Sequence, residues 1–153
     1  MSMRNYSCYG YGFSIENASN IDLIKEIVKG SFSAEDVEEM KEAIDMSQNV
    51  GELIANIEYE MHLVDESISM LVAEWMNSNK ELNPDGIRFS GFGSQYDCGT
   101  EESVLFTEGF PWQFTEAELK LKATDVEHLT AKFAKLLGIP DIDVNYQTLE
   151  YYG

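Results

Sequence analysis

The chain of 153 residues carries 28 acidic and 10 basic side chains, which gives a formal net charge of −18. Its length suits one domain with a hydrophobic core, and a hydrophobic content of 44% is too high for a solvated acidic tail. The shortage of Lys and Arg excludes a protein that binds nucleic acid or anionic lipid through its own basic patch. We therefore expect a single acidic domain over residues 1–153.

The N-terminus and the cysteine content predict a cytoplasmic protein. Residues 1–5 contain one Arg, and the apolar run of a signal peptide does not follow them. No window approaches the run of about 18 apolar residues that a membrane span needs. Cys8 and Cys98 are too few for the disulfide framework of a small secreted domain, so both thiols are expected to be reduced.

A strand and two helices are predicted in the first third of the chain. Residues 6–15 are rich in aromatic side chains and punctuated by glycine, which is typical of a strand. Asn20 is a favourable N-cap for a first helix, which we expect to end at Gly30. Ser33 is the predicted N-cap of a second helix. The apolar side of this second helix consists of Val37, Met40 and Ile44.

A long third helix is predicted over Glu52–Asn77. Apolar residues recur every three or four positions along this segment, and neither Pro nor Gly interrupts it. At 1.5 Å per residue, such a helix would be roughly 40 Å long. The apolar stripe consists of Leu53, Ile57, Met61, Val64, Ile68, Leu71 and Trp75.

The second half of the chain predicts strands and one further helix. Residues 87–92 and 103–107 each have the composition of a strand. Thr124 and Glu127 form a capping box that opens a helix, and Gly138 is expected to end it.

A last strand is expected over residues 142–151, so the predicted order is β-α-α-α-β-β-α-β. This order indicates an α+β domain. We expect a small, mostly antiparallel sheet of about four strands with the helices packed on one face.

The negative charge is concentrated in one part of the chain. Residues 31–79 contain twelve acidic residues against the single base Lys41, a balance of −11. Duplex DNA presents one charge per roughly 1.7 Å of its axis, and a helix studded with carboxylates can imitate part of that field. The alternative is an acidic surface that only keeps a housekeeping adaptor soluble.

The location of the charge predicts a non-enzymatic protein that binds a basic protein surface, for example on a nucleic-acid-binding defence protein. We expect no direct contact with nucleic acid or membrane. The expected contacts of first rank are Glu35, Glu38, Glu39, Glu42 and Asp45. Those of second rank, with one aromatic anchor, are Glu58, Tyr59, Asp65, Glu66 and Glu74.

A small cysteine-dependent hydrolase is the alternative of a different class. Cys98 lies in a polar segment and His128 lies on the last predicted helix, and such a pair acts as nucleophile and base where the fold joins them. One Cys and one His without a family signature favour this chemistry only weakly.

No metal or cofactor site is expected. Asp141, Asp143 and Asn145 imitate the first three ligand positions of a calcium loop, but Tyr146 stands where that loop needs Gly. The sequence also lacks the Cys and His spacings of zinc sites and the lysine of a phosphate-binding loop.

Three short motifs carry a resemblance to small uncharacterised proteins of Gram-positive bacteria and their phages. They are residues 9–13 (YGYGF), residues 111–112 (PW) and residues 150–153 (EYYG). The chain is also similar in size and acidity to anti-CRISPR and other anti-defence inhibitors of phages. This resemblance implies an inhibitory binding function and assigns no role to particular residues.

Overall fold

The computed structural model describes residues 5–58, 67–92, 102–107 and 123–152, which form an α+β domain. The four strands are β1 (Asn5–Ser14), β2 (Ser90–Phe92), β3 (Ser103–Thr107) and β4 (Asn145–Tyr152). The five α-helices of these residues are α1 (Ile21–Ser31), α2 (Ala34–Met46), α3 (Val50–Glu58), α4 (Ile68–Ser78) and α5 (Ala123–Leu137). The predicted fold class is confirmed.

The sheet is antiparallel throughout, with the strand order β2-β3-β1-β4. In β1, Phe13 lies opposite Val104 of β3, and Tyr11 lies opposite Tyr146 of β4. Gly12 is required where β1 meets β3, because a Cβ atom there would lie 1.9 Å from the carbonyl oxygen of Val104. Because β1 pairs with β4, strands from the two ends of the described chain lie side by side in the sheet.

The hydrophobic core lies between the helices and one face of the sheet. Phe13 and Val104 are fully buried on this face, and the ring of Phe133 from α5 packs edge-on against Trp75 and Phe89 at centroid distances of 5.6 and 6.3 Å. Such edge-to-face contacts add to the stabilisation from burial of the rings. Leu105, whose side chain alternates to the opposite face, is also fully buried.

The predicted N-caps of the first two helices are confirmed, whereas the predicted end of α1 is wrong. The side chains of Asn20 and Ser33 accept hydrogen bonds from the backbone N–H groups of Leu23 and Asp36. Gly30 does not end α1, which continues to Ser31. A glycine ends a helix by adopting a positive φ, and Gly30 is not among the described residues that do so.

The single long helix over Glu52–Asn77 is wrong, because α3 ends at Glu58 and α4 begins at Ile68. Ser67 has an extended backbone (φ −83°, ψ 163°), and its hydroxyl accepts a hydrogen bond from the N–H of Met70. A serine that caps a new helix interrupts helical backbone even where the apolar period continues. Between β1 and β2, the described residues therefore form four helices instead of the three predicted.

The second strand is shorter than predicted, because asparagine side chains take the hydrogen bonds of its first half. The Asn77 amide donates to the carbonyl of Phe89 and accepts from its N–H at 3.0 and 2.7 Å. Asn83 makes the same pair of bonds to Ile87, both at 2.9 Å. Pairing with β3 accordingly begins only at Ser90.

The end of α5 is bonded to the start of α1. Gly138 has φ 75° and ends α5 as predicted, with the N–H groups of Gly138 and Ile139 bonded to the carbonyls of Lys135 and Ala134. Asn20 donates to the carbonyl of Leu136 at 2.8 Å, so one residue caps α1 and satisfies the end of α5. Helix α5 already includes Ala123, one residue before the predicted cap at Thr124, whose side chain lies outside the described part of the structure.

The last strand begins at Asn145, because residues 141–143 form a 3₁₀ turn instead of its first positions. The predicted strand over residues 142–151 is thus confirmed except at its start. Within the described ranges, none of the helices has the length and apolar character needed to cross a bilayer.

Candidate functional site

Helix α2 presents four carboxylates on the side that faces away from the core. Met40 and Ile44 anchor the helix and are buried, as the sequence predicted, while Val37 is half-buried. At 100° per residue, the four exposed glutamates fall within an arc of about 100° on the opposite side. We call this group the α2 acidic face, and it consists of Glu35, Glu38, Glu39 and Glu42.

The carboxylates of the α2 acidic face have no ion-pair partner within the described residues. None of its four carboxylates lies within 4.0 Å of a Lys, Arg or His nitrogen of these residues. The spacing of Glu35 from Glu38 and Glu39, and of Glu38 from Glu42, places like charges one helical turn apart. Each such pair destabilises a helix by about 0.2–0.5 kcal/mol, so the face lowers the stability of α2.

Asp45, the fifth acidic residue of the first rank, is occupied by bases of α1. Its Oδ1 atom lies 2.7 Å from Nζ of Lys29, and its backbone carbonyl accepts from Nζ of Lys25 at 3.3 Å. The hydrogen bond from Lys29 lowers the pKa of the Asp45 carboxyl below its ordinary value. The side chain is still exposed, but its charge links α1 to α2 instead of extending the unpaired group.

An apolar side chain lies at the end of the α2 acidic face. Met46 is 59% exposed, and it follows Glu42 by four positions and Glu39 by seven, so all three lie on one side of α2. Sequence reasoning missed this residue, although its spacing from the two glutamates could have indicated it. An exposed, flexible thioether beside carboxylates is suited to contact an apolar spot within a basic surface.

Among the contacts of second rank, the structure describes the side chain of Glu74 alone, and it lies on α4 instead of α2. Glu74 is exposed on α4, and α1 packs against both α4 and α2. Glu58 is the last residue of α3, and its side chain lies outside the described part of the structure. Tyr59, Asp65 and Glu66 also lie outside the described residues.

The cysteine–histidine alternative gains no support from the described residues. His128 is exposed on α5, and Cys98 lies outside the described ranges.

The residues that imitate a calcium loop belong to regular structure. Residues 141–143 form a 3₁₀ turn and Asn145 begins β4. Among residues 5–58, 67–92, 102–107 and 123–152, there is no group of three or more His, Cys, Asp or Glu side chains placed to hold a metal ion.

A buried carboxylate that the sequence did not single out joins α4 to the sheet. Glu102 is 2% exposed, and its Oε2 atom accepts hydrogen bonds from the hydroxyl and the N–H of Ser69, at 2.5 and 3.4 Å. Its carbonyl accepts from the N–H of Ile15 and the hydroxyl of Ser14. The N-terminus of α4 favours a negative charge at this point. Glu102 therefore has a structural role, unlike the glutamates of α2.

A groove between α1 and α4 was also missed by sequence reasoning. It encloses about 390 Å³. Trp75 was assigned to the apolar stripe of a long helix, and Glu26 was not singled out at all. Since Leu23, Glu26, Ile27 and Gly30 share one side of α1, the spacing of the small residue could have indicated an open helix face. The lining consists of Leu23, Glu26, Ile27, Gly30, Ser31, Leu71, Glu74, Trp75 and Ser78.

Comparison of the chain with models of protein families, with curated proteins and with solved structures finds no match. The candidate site therefore depends on its own geometry and charge.

Proposed function

We propose that the protein is a non-enzymatic binding protein whose α2 acidic face engages a basic surface on a nucleic-acid-binding partner. The observation that carries this proposal is the set of four exposed carboxylates on one side of α2, without an ion-pair partner among the described residues. Met46, exposed beside them, supplies an apolar contact.

The energetics of α2 support a use for the charge. Like charges one turn apart lower helix stability, and a surface that only had to be soluble would intersperse lysines among them. On α2, Lys41 is the single base, while the six acidic residues are Glu35, Asp36, Glu38, Glu39, Glu42 and Asp45. A row of fixed negative charges attracts a phosphate-binding groove over long range and speeds association.

A nucleic-acid-binding partner follows from the form of the face. A rigid helix that carries carboxylates at successive turns resembles a short stretch of phosphate backbone more closely than a flexible acidic tail does. Occupation of a basic groove would exclude the nucleic acid that normally binds there. We therefore propose an inhibitory role of the phage type, directed at a nucleic-acid-binding defence protein and located in the cytoplasm.

Affinity capture from a bacterial lysate tests the proposal. The immobilised protein is expected to retain a basic protein at low salt, to release it as the salt concentration rises, and to release it at constant salt when duplex DNA is added. Reversal of Glu35, Glu38, Glu39 and Glu42 to Lys is expected to abolish capture. Circular dichroism of this variant checks that the fold is kept.

Two results would contradict the proposal. If the captured protein stays bound in excess duplex DNA, the face does not occupy its nucleic-acid site. If capture survives reversal of all four glutamates, the acidity of α2 serves solubility, which is the adaptor alternative.

A further inference from the structure

The groove between α1 and α4 has an apolar floor and an aromatic wall. Its apolar lining residues are Leu23 and Ile27 from α1, and Leu71 and Trp75 from α4. Trp75 packs edge-on against Phe133 on its core side and is half-buried, so its ring is held in place while part of it lines the groove. A fixed indole next to open space is suited to stack on a planar group.

Both charged residues among the described lining residues of the groove are acidic. Glu26 from α1 and Glu74 from α4 line it, and both are exposed. The two lysines of α1 lie on the other side of that helix, where both donate hydrogen bonds to Asp45. No Lys, Arg or His is among the lining residues. The groove is therefore complementary to a cation that also has an apolar part.

Small residues leave one end of the groove open. Gly30, Ser31 and Ser78 line it, and a Cβ atom at Gly30 would have no heavy atom within 4 Å beyond its own helix and neighbours. A glycine inside a helix makes the helix less stable than an alanine would, and the packing around Gly30 does not require a glycine. The open space beside Gly30 gives a long side chain access to Trp75.

We propose that this groove binds an arginine side chain that projects from the basic surface of the partner. The guanidinium group is planar, stacks on an indole face and pairs with carboxylates, while its aliphatic stem packs on apolar side chains. Leu23, Ile27 and Trp75 match the stem and the plane, and the exposed carboxylate of Glu26 matches the charge. This inference rests on the proposed function, because it assigns one side chain of the same basic partner to a second site beside α2.

Titration with N-acetyl-arginine amide, followed by nuclear magnetic resonance, tests the groove without the partner. The readout is the indole ¹H–¹⁵N signal of Trp75, assigned as the one of the two tryptophan signals that Trp75→Phe removes. We expect a saturable shift with the arginine compound. N-acetyl-citrulline amide, which has the same shape without the charge, is expected to leave the signal in place.

Two variants locate the binding within the groove. Gly30→Leu fills the open end and is expected to weaken binding at least about tenfold, because the new side chain competes for the space. Glu26→Gln keeps the shape and removes one charge, and it is expected to weaken binding about threefold, as for an exposed ion pair. Glu16→Gln, at an exposed position outside both the groove and the α2 acidic face, is the matched control and is expected to leave the affinity unchanged.

The proposal would be overturned by any of four results. The Trp75 signal could fail to shift with the arginine compound, or it could shift equally with the citrulline compound. N-acetyl-lysine amide could bind as tightly as the arginine compound. Finally, Gly30→Leu and Glu26→Gln could both bind the arginine compound as tightly as the wild type does. Failure of the groove is distinguishable from failure of the proposed function. Capture of a basic protein through Glu35, Glu38, Glu39 and Glu42 is measured separately and can succeed when the groove binds no arginine.

Discussion

Helices α2 and α4 have similar lengths, 13 and 11 residues, but they relate to the core in opposite ways. Helix α4 buries six residues and is held at its N-terminus by β2 and the Glu102 carboxylate. Helix α2 buries two residues, Met40 and Ile44, and presents a row of glutamates to solvent. Helix α4 is therefore a structural centre of the domain, whereas α2 is attached to the domain by a narrow apolar strip.

The acidic side chains of the two regions show the same division. Glu102 is buried and satisfied by hydrogen bonds at the start of α4, whereas the glutamates of α2 are exposed and unpaired within the described residues. Net charge alone does not distinguish these uses. Burial and hydrogen-bond partners do, and they indicate which carboxylates are available for a partner.

The largest expected effect on stability comes from truncation of the α4 core. Leu71 is 1% exposed, and Leu71→Ala is expected to lower the free energy of unfolding by about 2–5 kcal/mol through lost burial and a cavity. Urea denaturation followed by circular dichroism measures this change. The matched substitution on the outer side of α2, Glu38→Ala, is expected to cause no such loss, because it removes an exposed side chain and relieves its repulsion with Glu35 and Glu42. Similar losses in both variants would contradict the division between the helices.

A smaller loss is expected when the buried carboxylate is removed. Glu102→Ala removes the acceptor of the buried Ser69 N–H, while the Ser69 hydroxyl keeps the carbonyl of Phe92 as an acceptor at 2.7 Å. An unsatisfied buried polar group costs about 1–3 kcal/mol. The same denaturation experiment applies. Glu42→Ala is the control, since its carboxylate is exposed and lies in no ion pair with described residues. A Glu102→Ala variant as stable as the wild type would show that this carboxylate does not hold α4 to the sheet.

The acidic face itself is expected to lower stability, so neutralisation should raise it. Glu39 has like-charged neighbours at Glu35, Asp36 and Glu42, three or four positions away. Glu39→Gln is therefore expected to raise the free energy of unfolding by about 0.2–0.5 kcal/mol for each relieved pair at low salt. Thermal unfolding at low and at 1 M salt measures the gain, which screening should remove. A loss of stability would mean that Glu39 contributes favourably to the fold.

The smallest effect concerns the ion pair between α1 and α2. The pKa of Asp45 is lowered from 3.8 by the hydrogen bond from Lys29, so the pair stabilises the fold above the unfolded-state pKa and stops doing so as pH falls through the lowered value. Asp45→Asn is expected to be slightly less stable than the wild type at neutral pH and equally stable in strong acid. Thermal unfolding as a function of pH makes this comparison. A difference that persists in acid would exclude the ion pair as its cause.

Local sequence signals predicted the parts of the fold that depend on neighbouring residues. The caps at Asn20 and Ser33 and the stop at Gly138 need only a few adjacent residues, and all three are confirmed. The outward side of α2 followed from the 3.6-residue period, and its four glutamates are exposed together.

The features that were wrong or missed depend on contacts between distant residues. Ser67 interrupts an unbroken apolar period through its own cap, next to a buried network that reaches Glu102. The amides of Asn77 and Asn83 replace sheet hydrogen bonds, and Lys29 crosses from α1 to Asp45. Neither the apolar periodicity nor the charge of each region predicts contacts of this kind between side chains and distant partners. The groove lined by Glu26 and Trp75 likewise arises only where two helices meet.

A matched pair of charge-reversal variants tests the role of α2 most directly. One variant changes four residues of the α2 acidic face to Lys, namely Glu35, Glu38, Glu39 and Glu42. The other changes four exposed acidic residues outside α2 to Lys, namely Glu16, Glu81, Asp85 and Asp143. The net charge of the protein therefore shifts equally in the two variants. The dissociation constant for the captured basic partner is measured for both at one moderate salt concentration. We predict a loss of at least about 100-fold for the α2 variant and no more than a few-fold for the other, since located contacts outweigh the general field. Equal losses in the two variants would contradict a located binding face.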